Sequence, residues 1–145
     1  MCVNWSINLK DNLMPEKYIE RDVSWMIFNH RVLQEAGKQT LPLFERLSFL
    51  GIYANNIDEF YRVRIATLNR ILASTKKKQQ EARRNARYIL EKIEQLDEAY
   101  RIEYEAVFHD VIEGLKREHV FFLNEQELNG EQKIFLDNLF TESLY

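Results

Sequence analysis

The chain has 145 residues, 46% of them apolar, a formal net charge of −3 and a single cysteine, Cys2. One cysteine excludes an intramolecular disulfide and a cysteine-based metal site, and no apolar run approaches the roughly 20 residues that cross a membrane. Four glycines and two prolines leave little turn material, which favours long helices over a many-stranded sheet.

The opening MCVNWSINLKDNLMPEK shows no sustained period and reads as an arm over residues 1–17. It lacks the basic start and apolar middle of a signal peptide, so a cytoplasmic setting is expected, with peripheral attachment to a membrane left open. Ser24 or Asp22 can cap a helix starting near Trp25. Trp25, Phe28, Val32, Leu33 and Ala36 share one face of it, and Gly37 supplies a stop.

A second helix is expected after Thr40, with Pro42 in its first turn and a buried stripe of Leu43, Leu47 and Leu50 or Gly51. The double asparagine in GIYANNIDEFYRVRIA is expected to break it. Asn56 with Glu59 three residues on reads as a capping box, and Asn55 with Asp58 reads equally well. A third helix then runs from about Ile57 to Leu72, followed by a bend over ASTKKKQQEARR.

The strongest period follows. Ala86, Ile89, Leu90, Ile93, Leu96, Tyr100, Tyr104, Val107, Phe108, Val111, Ile112 and Leu115 predict a helix from about Gln80 to Glu118. At 1.5 Å per residue it extends about 58 Å, long enough for one end to overhang a small bundle. VFFLNEQELNG has strand length and then turn residues, and EQKIFLDNLFTESLY returns to helical spacing and stops without a cap. The fold expected is all-α, a four-helix bundle-like domain with one very long helix, followed by a truncated α/β segment. Residues 18–119 would form the helical domain and 120–145 the start of another.

Few side chains suggest chemistry. His30, His109 and His119 lack metal-ligand spacing, and no phosphate loop or nucleophile motif is present. Asp58 and Glu59 are adjacent on a helix and so diverge; they suit a helix start better than a metal or an acid/base pair. Trp25, Phe28 and Phe60 read as core rather than a cofactor box. Residues 61–87 carry nine basic groups against one acid, whereas residues 88–145 carry five against fourteen. That basic block is Arg62, Arg64, Arg70, Lys76, Lys77, Lys78, Arg83, Arg84 and Arg87. It would attract phosphates, other polyanions or an acidic surface, with bland solvation an equal reading.

The segments YIERDVSWMIFNHRVLQEA and LPLFERLSFLGIYANNIDEFYRVRIATL closely resemble the N-terminal domain of the bacterial polyphosphate kinase family, the type that works through a phosphohistidine. The resemblance covers residues 18 to 72 most specifically, and continues loosely through the long helix into the passage toward that family's head domain. It implies reversible transfer of the terminal phosphate of ATP to inorganic polyphosphate, with magnesium. The phosphorylated histidine lies in C-terminal domains of the family, and none of the three histidines here matches it.

The resemblance also implies that the domain closes over the adenine side of ATP and that the family's nucleotide-contacting asparagine falls on Asn56, whose NH2 group can donate to a ring nitrogen. Homo-oligomers are a further implication. The alternative is a helical interaction module that only joins subunits. A basic nucleic-acid-binding domain is the weakest reading, because no aromatics interleave the basic block between Tyr61 and Tyr88 and no reading motif is present.

Overall fold

Glu20, not Ser24 or Asp22, starts the first helix in the computed structural model, which describes residues 20–75 and 77–143, with Lys77 described by its backbone alone. The Glu20 carboxylate accepts from the amides of Asp22 at 2.7 Å and Val23 at 3.2 Å. Two otherwise orphaned first-turn donors are thereby satisfied. Helix α1 runs Arg21–Ala36. It stops at Gly37 as expected, where an added Cβ would lie 3.7 Å from Val107.

The buried face of α1 is Asp22, Met26, Asn29, Leu33 and Ala36. Leu33 and Ala36 are buried as expected, whereas nearer the N-terminus the buried face is turned by one residue. Trp25 and Val32 are half-buried, and Phe28, assigned to the core, is 60% exposed. Two polar residues hold core positions because each finds a partner, Asn29 on the next helix and Asp22 at Arg64 beyond it.

Helix α2 spans Leu43–Phe60, with Pro42 just before it and no side-chain cap. Thr40 therefore does not cap it. Leu50 is buried, Leu43 and Leu47 are half-buried, and Gly51 is exposed. Arg46 is buried too, and its Nε donates to the Ala36 carbonyl at 2.7 Å. A cation thus meets the negative end of α1.

The asparagine pair does not break the helix. Asn55 and Asn56 lie inside α2, which passes through a π-helical turn, Tyr61–Ile65, directly into α3, Ala66–Leu72. Asparagine disfavours helix mainly by bonding nearby backbone, and here the Asn56 amide is held sideways by another helix. The π turn has its own cause. Phe60, Arg64 and Leu68 follow at steps of four, which drift about 80° from one stripe in a straight α-helix. One extra residue in the turn takes up that drift.

After a 3-10 turn, Lys77–Gln79, helix α4 runs Gln80–Arg117, close to the expected span. Ala86, Ile89, Ile93, Tyr100, Val111 and Leu115 are its most buried residues. The described residues divide into two compact units, up to Phe108 and from His109 on. In the first, α1 packs on α2, and α4 joins them through aromatic pairs. The Tyr53 and Tyr104 rings are 5.6 Å apart, and those of His30 and Tyr100 4.0 Å.

In the second unit α4 ends on a left-handed residue, His119, at φ 61°. The Val120 amide bonds back to Leu115 and the His119 amide to Lys116, the paired bonds of a Schellman stop. Residues 120–124 form no strand, and none occurs among the described residues. The expected α/β segment is not shown: VFFL finds no ladder partner for its backbone among the described residues. Helix α5, Gly130–Ser143, instead begins with a reciprocal cap. The Asn129 side chain accepts from the Gln132 amide and the Gln132 side chain accepts from the Asn129 amide, both at 2.9 Å. No helix of the described residues is long and apolar enough to cross a membrane.

Candidate functional site

Three residues on two helices form a buried polar relay. Asn29 of α1 is fully buried; its Nδ2 donates to the Tyr53 carbonyl of α2 at 3.3 Å. Its Oδ1 accepts from Asn56 Nδ2 at 2.8 Å. Asn56 is half-buried, so one side of its amide is anchored and the other remains accessible. Among the described residues its Oδ1 has no partner.

One helical turn away lies a recess of about 450 Å³. Trp25 follows Asn29 back by four residues on α1, and Phe60 follows Asn56 forward by four on α2. Their rings stack at 4.4 Å and 6°. Phe28 and Val63 complete the apolar wall, and Asp22, Glu59 and Arg64 supply charge. Trp25 and Phe60 spend a face on each other, and the exposed Phe28 leaves apolar surface one turn from the Asn56 amide that suits a planar heterocycle.

The rim is held by Asp22 and Arg64. Arg64 Nε and Nη2 donate to the two Asp22 oxygens at 2.8 and 2.7 Å, a planar two-point pair. The bond to Asp22 holds the Arg64 guanidinium even further above its ordinary range.

The basic block is not one site. Arg62 pairs with Asp58 one turn earlier, and Arg64 faces Asp22. Arg70 and Lys78 are exposed. Lys76 lies outside the described residues, as does the side chain of Lys77. Arg83, Arg84 and Arg87, at steps that share one side of α4, line a separate concavity of about 380 Å³ with Gln80, Tyr88 and Glu91. Arg83 is also tied to the Ser74 carbonyl at 3.0 Å.

Among the described residues no three His, Cys, Asp or Glu side chains gather as metal donors. Asp58 is engaged by Arg62. His30 is structural in its contacts: its Nε2 lies 2.6 Å from Glu103 Oε2, joining α1 to α4. Reading the sequence missed Asn29 and Asp22. Their signal was a polar side chain at three- and four-residue spacing from Met26 and Leu33.

Residues 18–123 match the family model described as the polyphosphate kinase N-terminal domain. The chain is 38% identical over 127 residues to polyphosphate kinases of Escherichia coli K12 and Salmonella typhimurium, and 34% identical to that of Vibrio vulnificus. Each match covers 88% of this chain and 18% of the relative, so the chain spans about a fifth of the length of the relatives it matches. No solved structure matches it.

Proposed function

The chain belongs to the polyphosphate kinase N-terminal domain family, and from that membership we propose that it is the nucleotide-side segment of an enzyme transferring the terminal phosphate of ATP, reversibly, to inorganic polyphosphate. The observation that carries this reading is the anchored, half-buried amide of Asn56, one helical turn from the recess lined by Trp25, Phe28 and Phe60. In this reading Asn56 hydrogen-bonds the adenine ring, and the exposed Phe28 offers it a face to lie on.

Arg62, Arg64, Arg70, Lys76, Lys77, Lys78, Arg83, Arg84 and Arg87 raise the positive potential that draws ATP or polyphosphate toward the chain. Arg83, Arg84 and Arg87 form the part of it with a common wall. Magnesium and the phosphorylated histidine belong to other parts of such an enzyme, which works in the cytoplasm. The helical domain then comprises residues 18–119, and residues 120–145 lead into the next.

In a complete enzyme carrying this segment, Asn56→Ala should raise the KM for ATP about fivefold, the equivalent of one hydrogen bond of about 1 kcal/mol. An unchanged KM in a folded variant removes the adenine role.

A second reading, an oligomerisation module, has its own observation. Phe121, Phe122, Ile134, Phe135 and Phe140 are all more than half exposed, an apolar surface of the kind that pairs chains. Sedimentation of the 145-residue chain over a range of concentrations tests it; a monomer at every concentration rules it out.

A further inference from the structure

From the direction of the hydrogen bonds we infer that Asn29 is a positioning residue that makes the Asn56 amide select adenine over guanine. This role rests on the adenine contact proposed for Asn56 and adds base discrimination to it.

The polarity of the relay begins at a group that cannot be reversed. The Tyr53 carbonyl can only accept, so Asn29 must turn its Nδ2 toward it. The Asn29 Oδ1 is then aimed at Asn56, which has to present Nδ2. A half-turn of the Asn56 amide would set two oxygens against each other at about hydrogen-bond distance. Asn29 is fully buried, so its Oδ1 cannot turn to solvent to relieve that clash. Asn56 is left with Oδ1 and one N–H as a fixed acceptor–donor edge.

Adenine carries the matching edge on its N1 side, the 6-amino donor beside the N1 acceptor. Guanine in the same pose places its 6-oxygen against Asn56 Oδ1, acceptor on acceptor, and its N1–H against the amide N–H, donor on donor. To take guanine the amide has to reverse, and Asn29 prevents it.

The test follows the side-chain amide signals of Asn56 in the 145-residue chain while ATP or GTP is added. ATP should bind at Asn56 about fivefold or more tightly than GTP, the effect of one made bond against one lost. In Asn29→Leu, which frees the Asn56 amide to rotate, the ratio should fall toward one; in Asn56→Ala it should fall as well. A purely structural role for Asn29 weakens both nucleotides alike and leaves the ratio unchanged.

If Asn56→Ala loses discrimination while folded Asn29→Leu keeps it, the positioning role is wrong and the adenine contact stands. If ATP leaves the Asn56 signals unmoved, or Asn56→Ala binds ATP as before, the adenine contact itself fails and takes this role with it. The unsubstituted chain supplies an arm that needs no variant. Purine riboside triphosphate, which lacks the 6-amino group, should bind about fivefold more weakly than ATP, and equal binding overturns the proposal even where Asn29→Leu does not fold.

Discussion

Asp22 and Arg64, 42 residues apart in sequence, meet through two parallel hydrogen bonds of 2.8 and 2.7 Å. The two ends of the pair are not equally buried. The Asp22 side chain is 4% exposed and that of Arg64 35%. Removing the carboxylate leaves a guanidinium that can turn to water. Removing the guanidinium leaves a buried carboxylate with nothing to neutralise it. Asp22→Ala should therefore cost about 2 kcal/mol, and Arg64→Ala about 3–5 kcal/mol. Urea unfolding of the two variants measures the difference, and an equal or reversed order contradicts the burial argument.

The adjacent asparagines should respond in opposite directions. Asn55 is exposed in mid-helix and its side chain bonds to none of the described residues, so Asn55→Ala should stabilise by about 0.5 kcal/mol through helix propensity. Asn56→Ala removes the donor to a buried oxygen on Asn29 and should destabilise by about 1–2 kcal/mol. A helix boundary at this point predicts something else, a loss of about 1 kcal/mol at whichever asparagine is the cap. Thermal melts of the two variants decide between these patterns.

That contrast also marks what local sequence could convey. Helix α4 was legible because its apolar steps continue without proline and nothing distant has to be known. The Asn55–Asn56 pair was misread because the partner that occupies the Asn56 amide sits 27 residues away. The face of α1 was turned by one residue for the same reason. Asp22 and Asn29 look like surface residues until Arg64 and Tyr53 are in place, and Phe28 looks like core until those polar groups fill it. The cap at Asn129 was available locally, since Gln132 follows three residues later and an apolar run comes next. Asn56 was placed by family resemblance; no periodicity singles it out, and Asn29 carried no signal beyond its spacing.

Alkali should act through the tyrosines. Burial, then a hydrogen bond to the Asp97 carboxylate, pushes Tyr61 up to about 12. Tyr53 and Tyr100 are also raised, chiefly by burial. An ordinary tyrosine ionises near 10. Because the folded values lie above the unfolded one, the neutral rings favour the fold fully below about pH 10, and that contribution is lost as pH climbs toward about 12. Ultraviolet titration should show some tyrosines ionising late, together with unfolding, and Asp97→Asn should bring Tyr61 down. A single step near pH 10 for all seven tyrosines, with the fold intact, refutes this.

His119 offers a gain in stability. It closes α4 at φ 61°, where a side chain with a Cβ is strained by about 1–2 kcal/mol. Its backbone bonds, from His119 to Lys116 and from Val120 to Leu115, do not involve the imidazole. His119→Gly keeps both and relieves the strain, while giving the unfolded chain more freedom to lose. The first effect is the larger, so the variant should be more stable by about 0.5–1 kcal/mol. His119→Val, whose branched side chain tolerates the left-handed region worst, should be less stable than the parent. Chemical denaturation of the three proteins should rank them glycine, histidine, valine, and a valine variant as stable as the glycine one shows that α4 ends by some other means.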